Sequence, residues 1–163
     1  MTDSQVILTK KPHQARKSNP ASVILATSYL AEGEETHAKT HTYEVGVDEA
    51  GRGPLFGRVY TGAVLLPSAD DVSRPFDFSL LKDSKKFHSE KKIREVSDYI
   101  KQHAVAWAIS YEEPDAIDRL NIRRATLQCM KKSINAAIEG HTQDLEQKNR
   151  DVPTTEDYLL LID

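Results

Sequence analysis

The sequence predicts an α/β protein in which helices pack on the faces of a mixed β-sheet, and the order of its apolar segments carries this prediction. Residues 43–47 and 59–66 are rich in β-forming residues and are joined by a short glycine-rich connection, so we expect them to pair antiparallel. Segments with apolar residues at helical spacing follow, and two further short apolar runs, at 104–110 and 158–162, separate them. Two paired strands, a helix, a strand, helices and a final strand are typical of a mixed sheet with flanking helices.

The boundaries of the early elements come from local signals. The first strand is expected to stop at residue 47, because residues 50–57 contain three glycines and Pro54 and indicate a loop. The second strand stops before Pro67, and residues 68–80 have a loop composition. Ser89 is a suitable N-cap for the next helix, which carries apolar residues at helical spacing: Ile93, Val96 and Ile100.

The later elements are predicted in the same way. Residues 104–110 are short, apolar and bounded by charge, which indicates a buried third strand. Glu113 and Pro114 open a helical turn, and Gly140 is expected to end the longer helix that follows. One face of that helix is apolar: Ile122, Ala125, Cys129, Ile134 and Ile138. Residues 140–157 are polar and are interpreted as a solvated connector before the fourth strand.

Composition limits the classes of function. The chain has 163 residues, enough for one domain with its own core, and 22 Lys+Arg against 25 Asp+Glu give a net charge of -3. A chain with this balance must use local basic patches for any contact with nucleic acid. The single cysteine excludes an internal disulfide framework and a cysteine-built zinc site, and it fits a reducing, cytoplasmic location, with a nuclear one as the alternative. We expect no membrane association, because no apolar run is long enough to span a bilayer.

Residues 1–42 differ from the rest of the chain. This segment contains, in order, four cations, a short apolar patch around residues 23–30, and three glutamates. A cleaved targeting segment, or a basic arm that contacts phosphates or a receptor, would share this outline. We interpret residues 1–42 as a loosely ordered extension and residues 43–163 as the folded domain.

The candidate chemistry is centred on two adjacent carboxylates, Asp48 and Glu49, between a strand and the glycine loop. Neighbouring side chains on a regular strand point to opposite faces, so both can serve one site only if the strand frays or twists there. Carboxylate oxygens suit Mg²⁺ or Mn²⁺, although the pair could simply cap a loop. Asp163 follows the last apolar run, and it would join them if that strand lies beside the first in the same direction; otherwise it is an exposed residue.

Two other segments could contact a substrate. Gly51, Arg52 and Gly53 combine bare backbone with a cation, which suits a phosphate or a ribose hydroxyl, but a tight turn would explain the glycines equally well. Residues 82–101 hold seven Lys+Arg against four Asp+Glu. That run is either a solvated helix face or a phosphate contact, and the second reading needs it to lie near the carboxylates.

Taken together, four motifs resemble the ribonuclease HII family. Residues 45–57 read Val-Gly-Val-Asp-Glu-Ala-Gly-Arg-Gly-Pro-Leu-Phe-Gly, which is similar to the opening motif of that family, and the Gly-Arg-Gly form distinguishes it from the sister type HIII. The other three motifs are residues 81–86 (Leu-Lys-Asp-Ser-Lys-Lys), 117–122 with Ala125 and Thr126, and 161–163 (Leu-Ile-Asp). The resemblance extends from about residue 43 to residue 163.

The resemblance implies a ribonuclease H-like fold and a metal-dependent endoribonuclease. It implies that Asp48, Glu49 and Asp163 bind Mg²⁺ or Mn²⁺, that residues 51–53 sense a 2′-hydroxyl, and that Lys85 lies near substrate phosphates. The implied partner is an RNA–DNA hybrid or a DNA duplex containing ribonucleotides, cut to leave 3′-hydroxyl and 5′-phosphate ends. An inactive nucleic-acid-binding remnant, or an unrelated metal-binding α/β domain, are the alternatives.

The family pattern continues beyond residue 163. It includes a fourth carboxylate and a C-terminal helical region that these residues do not contain. We therefore interpret the chain as the front part of a longer enzyme, monomeric when complete. We expect little nuclease activity and marginal stability from the 163 residues alone.

Overall fold

The structure is a computed structural model, and it describes residues 43–54, 56–69 and 71–162. The extension at 1–42 and Asp163 lie outside the described residues, so the proposed domain boundary stays a prediction. The described chain has four strands: β1 (Tyr43–Ala50), β2 (Val59–Leu65), β3 (Ala106–Glu112) and β4 (Tyr158–Ile162). It also has three α-helices, α1 (Glu90–His103), α2 (Pro114–Leu120) and α3 (Ile122–Gln147), and short 3₁₀ turns at Phe78–Leu80, Ser84–Lys86 and Thr155–Asp157.

The four strands form one mixed sheet, as predicted. Their order is β3-β2-β1-β4. β1 pairs antiparallel with β2, and β2 pairs antiparallel with β3. β4 lies on the other side of β1 and runs parallel to it, with Val47 beside Ile162. The carboxyl ends of β1 and β4 can lie at the same edge of the sheet only if the two strands are parallel. The structure meets this requirement.

One face of the sheet is packed against α3, and this contact forms the core. Alternate residues of β1 and β2 point toward the helix because strand side chains alternate between faces. The buried core cluster consists of Val45, Val47, Ala63, Leu65, Met130, Ile134, Ala137 and Tyr158. α3 is long enough to cross several strands. Its apolar residues recur with the helical period along the side that faces the sheet.

The opposite face of the sheet is only partly covered. The strand register places three cross-strand rows on it: Gly46–Val64–Trp107, Asp48–Gly62–Ile109 and Ala50–Tyr60–Tyr111. α1 covers part of this face and is tied to β3, because the Trp107 indole Nε1–H donates to the Lys101 carbonyl at 3.0 Å. The third strand was expected to be fully buried, and that prediction is wrong. Trp107, Ile109 and Tyr111 are 43%, 56% and 47% exposed, since β3 is an edge strand with one open face.

Two predicted boundaries are also wrong. β1 continues three residues beyond residue 47, because Asp48, Glu49 and Ala50 all pair with β2. α3 does not stop at Gly140 but continues to Gln147. Tertiary packing outweighs the low helix propensity of glycine here, since His141 and Leu145 in the last turns are buried. The connector before β4 is correspondingly short.

None of the described helices combines the length and the hydrophobicity needed to cross a lipid bilayer.

Candidate active site

Asp48 lies at the open face of the sheet, near the carboxyl end of β1. Its partner on β2 is Gly62, and a side chain added at Gly62 would meet no atom within 4 Å. The surface beside Asp48 is thus bare, and the Asp48 side chain is exposed. One carboxylate oxygen, Oδ1, accepts a hydrogen bond from the Glu49 backbone N–H at 2.7 Å.

Glu49 belongs to the other face, because β1 stays regular through Ala50. The strand neither frays nor loses its pairing at this point, since Glu49 is registered with Thr61 and Ala50 with Tyr60. Regular pairing alone would direct the two carboxylates to opposite faces, and their joint action at one site, which a local twist would allow, stays a prediction. The Glu49 carboxylate contacts the glycine loop, where Arg52 Nη1 lies 2.9 Å from Glu49 Oε1.

Asp163 lies outside the described residues, and its part in the site stays a prediction. The described part of β4 ends at Ile162, beside Val47, which directly precedes Asp48. Within the described residues, no group of three or more His, Cys, Asp or Glu side chains is arranged to hold a metal ion. Of the three predicted ligands, the described chain contains only Asp48 and Glu49.

The chemistry of these two carboxylates fits a hard divalent cation, but their arrangement sets a condition. Oxygen donors, an exposed Asp48 and the bare surface at Gly62 favour such an ion. Glu49 is already paired with Arg52, and its side chain is only 16% exposed. This contact engages Oε1, so a metal ion bound through that oxygen would displace the Arg52 guanidinium.

The glycines that follow have two different explanations. Gly51 has a φ of 93°, and a Cβ there would lie 2.5 Å from the Arg58 carbonyl oxygen. A tight turn thus requires glycine at position 51 whatever the loop binds. Gly53 has no positive φ, and a Cβ at this position would meet nothing within 4 Å. Neither backbone conformation nor crowding requires glycine at position 53, and its role in binding substrate stays a prediction.

An ion pair that the sequence did not reveal holds the end of the glycine loop that leads into β2. Arg58 binds Glu113 through two contacts, Nη2 to Oε1 at 2.7 Å and Nε to Oε2 at 2.9 Å. Its guanidinium also lies over the Tyr111 ring, 4.5 Å from the centroid. The hydrogen bonds that Arg58 donates to Glu113 raise the pKa of Arg58 further above its ordinary value. Arg58 and Glu113 are 55 residues apart, so only the pairing of β2 with β3 brings them together.

The basic segment lies against the same open face as Asp48. A groove of about 360 Å³ separates α1 from the sheet, with Gly62, Val64 and Trp107 on one side and Ile93 and Ile100 on the other. Lys82 also lines this groove. Lys82 and Gly62, the cross-strand partner of Asp48, line the same groove, which is otherwise mainly apolar, and a phosphate contact by the basic segment stays a prediction.

Lys85 lies nearby but does not line the groove. It sits in the 3₁₀ turn Ser84–Lys86, is exposed, and its backbone N–H donates to Asp83 Oδ1 at 3.0 Å. This hydrogen bond fixes the backbone of the turn and leaves the Lys85 ammonium group to solvent.

The third motif lies on helices. α2 ends at Leu120, and Asn121 (φ 66°) caps α3 by accepting a hydrogen bond from the Arg124 backbone N–H at 3.1 Å. In the structure, the third motif therefore joins α2 to α3.

Comparison with known proteins identifies the family that the motifs match. Residues 45–146 match the family model described as Ribonuclease HII. The chain is 46% identical over 94 residues to Ribonuclease HII of Neisseria gonorrhoeae, covering 58% of this chain and 45% of that protein. It is 46% identical over 103 residues to Ribonuclease HII of Oceanobacillus iheyensis, covering 62% of this chain and 36% of that protein. The chain thus spans less than half the length of these curated relatives.

A solved structure has the same fold at low sequence identity. The crystal structure of a mutant of Bst-RNase HIII superposes with a TM-score of 0.50 at 13% identity, covering 90% of this chain and 52% of that one. This match confirms the predicted class, a mixed sheet with flanking helices of the ribonuclease H kind.

Proposed function

We propose, because this chain belongs to the ribonuclease HII family, that it supplies the front part of a divalent-metal-dependent endoribonuclease. The substrate is the RNA strand of an RNA–DNA hybrid or a single ribonucleotide within duplex DNA. Water attacks the phosphorus, the bond from phosphorus to the 3′-oxygen breaks, and the products carry 3′-hydroxyl and 5′-phosphate ends. Family membership removes an unrelated α/β domain from the alternatives, and an inactive nucleic-acid-binding protein remains as the competing outcome.

The observation that carries the proposal is the position of Asp48. It is an exposed carboxylate on the open face, its cross-strand neighbour is Gly62, and a groove with a lysine on its wall begins there. A metal ion held by Asp48 would lie on an open face that a phosphodiester can reach, and Lys82 on the groove wall supplies a cation for another phosphate of the strand.

Asp48, Glu49 and Asp163 are the residues proposed to hold Mg²⁺ or Mn²⁺. When bound, a divalent ion in such a site activates water and stabilises the charge on the leaving oxygen. Support for Asp163 comes from β4, which runs parallel to β1 and whose last described residue, Ile162, lies beside Val47, the residue before Asp48. Arg52 holds Glu49 in the described arrangement and would exchange this contact for one with the substrate.

The glycine loop and Lys85 are proposed to bind the substrate. Gly51, Arg52 and Gly53 contact the 2′-hydroxyl, which is the group that separates RNA from DNA. The open space at Gly53 supports this role. At position 51, the positive φ of the turn already requires glycine. Lys85, exposed at the 3₁₀ turn, contacts a backbone phosphate.

The test is the exchange of Asp48 for asparagine in a protein that carries this chain and continues to the length of its relatives. Asp48→Asn removes a negative charge and keeps nearly the same shape. We expect it to abolish Mg²⁺-dependent cleavage of a duplex with one ribonucleotide while the thermal melt is unchanged. Asp151→Asn makes the same change at an exposed position in the connector and should cleave at the parent rate. Cleavage by Asp48→Asn at close to the parent rate would show that the carboxylate assignment is wrong.

A binding measurement distinguishes the enzyme from the inactive alternative. Fluorescence anisotropy of a labelled RNA–DNA hybrid reports binding whether or not the bond is cut. Binding by the parent protein without cleavage at any Mg²⁺ or Mn²⁺ concentration would favour the inactive nucleic-acid-binding protein.

A further inference from the structure

A second cavity, at the start of α1, is lined by cationic side chains. It has a volume of about 290 Å³, and the charged or polar residues around it are Ser79, Lys82, Lys86, His88, Ser89 and Lys92. Neither an aspartate nor a glutamate is among its lining residues. We refer to it as the lysine cavity. Three lysines around one cavity bring like charges into one region, and a bound anion would neutralise them.

The charges of the lysine cavity are weakly compensated within the described protein. Lys82 and Lys86 form no ion pair with any described residue. Lys92 Nζ lies 3.3 Å from Glu95 Oε2, but both side chains are about half exposed. An exposed pair of this kind is weak and is easily exchanged for another anion.

The backbone at the mouth of the lysine cavity adds donors. Ser89 occupies the N-cap position of α1, yet its side chain makes no capping hydrogen bond. The first N–H groups of a helix have no partner within the helix, so those beyond Ser89 remain available to an acceptor. They reinforce an anion site whose charge comes from the lysines.

The lysine cavity and the groove described above are adjacent. Lys82 and Phe87 line both of them, and the groove reaches Gly62, the cross-strand partner of Asp48. The groove itself is lined mainly by apolar side chains, and the residues that it shares with the lysine cavity place the cavity next to it.

We propose that the lysine cavity binds a phosphate group of the nucleic-acid backbone, away from the bond that is cut. This inference rests on the proposed function for the identity of the ligand, and it concerns residues other than Lys85. The cavity fixes the direction of the strand relative to Asp48 and carries no base specificity, because ammonium groups recognise phosphate charge.

The experiment compares two lysines that are neighbours on α1. Lys92 lines the cavity, whereas Lys91 is an exposed residue outside the lining. Lys92→Ala and Lys86→Ala are compared with Lys91→Ala, which removes the same charge without touching the cavity. Amide spectra of the 163-residue chain are recorded with inorganic phosphate and with chloride at equal ionic strength. Anisotropy of a labelled hybrid duplex is then measured across a salt series.

We expect inorganic phosphate to shift the amide resonances of Ser89 and the first turn of α1 in the parent chain and in Lys91→Ala. The shift should be lost in Lys86→Ala and Lys92→Ala, whose circular dichroism spectra should match that of the parent. The slope of log affinity against log salt should fall by about 0.9 when one phosphate contact is removed, and it should change less in Lys91→Ala.

Three results would overturn the inference. Loss of the phosphate shift to the same extent in Lys91→Ala would show a diffuse charge effect in place of a site. Absence of any shift in the parent would show that the cavity does not bind phosphate. A phosphate shift that the duplex does not compete away would assign the cavity to free phosphate and refute the backbone assignment. The Asp48→Asn variant should keep the phosphate shift, so failure of the proposed cleavage and failure of this site are distinguishable.

Discussion

The Glu49 carboxylate and the Arg52 guanidinium form an ion pair, with Oε1 and Nη1 2.9 Å apart. The two residues were predicted to have separate tasks, Glu49 in binding metal and Arg52 in contacting substrate. Their contact couples these tasks, since Glu49 cannot give the same oxygen to an ion while Arg52 holds it. Substrate that draws Arg52 away would make the site a better cation site.

The first prediction concerns this coupling. Arg52→Gln removes the cation that competes for Glu49, so affinity for Mn²⁺ should rise while affinity for an RNA–DNA hybrid falls. An exposed ion pair contributes roughly 0–1 kcal/mol, so the rise in Mn²⁺ affinity should be no more than about fivefold. Isothermal titration of the 163-residue chain with Mn²⁺ measures it. Lower Mn²⁺ affinity in Arg52→Gln would mean that Arg52 positions Glu49 for the ion and does not compete with it.

The second prediction separates the two glycines of the loop. Gly51→Ala should destabilise the protein by roughly 1–3 kcal/mol, because alanine disfavours the positive φ and its Cβ would collide with the Arg58 carbonyl oxygen. Gly53→Ala should change stability by no more than about 0.5 kcal/mol. It should nevertheless weaken binding to the hybrid, because its methyl group occupies the space proposed for the ribose. Denaturant melts and anisotropy test both variants.

If Gly53→Ala binds the hybrid as tightly as the parent, the backbone at this position does not approach the substrate. The glycine loop would then be a turn without a binding role.

The third prediction is that the stability of the folded protein depends on pH through a contact between α3 and β4. His141 on α3 is 2% exposed, and its Nδ1 lies 2.8 Å from the Tyr158 hydroxyl. Burial lowers the pKa of His141 below its ordinary value of 6.5, an effect that the Asp144 carboxylate opposes. Burial also raises the pKa of Tyr158 to about 12. Both directions fit a neutral pair in which the Tyr158 hydroxyl donates to an unprotonated Nδ1.

The sign of the effect follows from proton binding. Below pH 6.5 the unfolded chain binds a proton at His141 that the folded chain resists, so stability should fall as the pH drops through and below that value. Above pH 10 the unfolded chain loses the Tyr158 proton first, so stability should fall again up to about pH 12. Melting temperatures between pH 5 and 7.5 should decrease less steeply for His141→Gln. An equal slope in parent and variant would assign the acid sensitivity to other groups.

The fourth prediction uses Cys129, the single cysteine of the sequence. Its side chain is fully buried, Sγ lies 3.2 Å from Thr61 Oγ1, and burial raises the pKa of the thiol. The native thiol should therefore react with an aromatic disulfide reagent only as fast as the protein opens, and fully once denaturant is added. Complete labelling within the mixing time under native conditions would contradict the packing of α3 on β2.

Periodicity and turn residues predicted most of the fold. The antiparallel pair β1–β2, the helix beginning after Ser89 and the final apolar strand are confirmed because each depends on local signals. Gly140 was misread because burial of His141 and Leu145, contacts made over a long distance, continues the helix past a residue that usually ends one. The third strand was misread because apolar residues in an edge strand do not reveal which face is covered.

The sequence by itself determined the family, since the motif spanning residues 45–57 matches it in order and spacing, and it named Asp48, Glu49, residues 51–53 and Lys85 as candidates. Only the tertiary structure decided which face of the sheet each of them occupies and which residues each contacts. Strand register set Asp48 against Gly62 on the open face and turned Glu49 toward Arg52, and the α1 contact brought Lys82 to the same groove. The physical reason is that local sequence fixes the conformation of each segment. The face a side chain occupies, and its neighbour from a distant segment, depend on pairing and burial that form only in the folded chain.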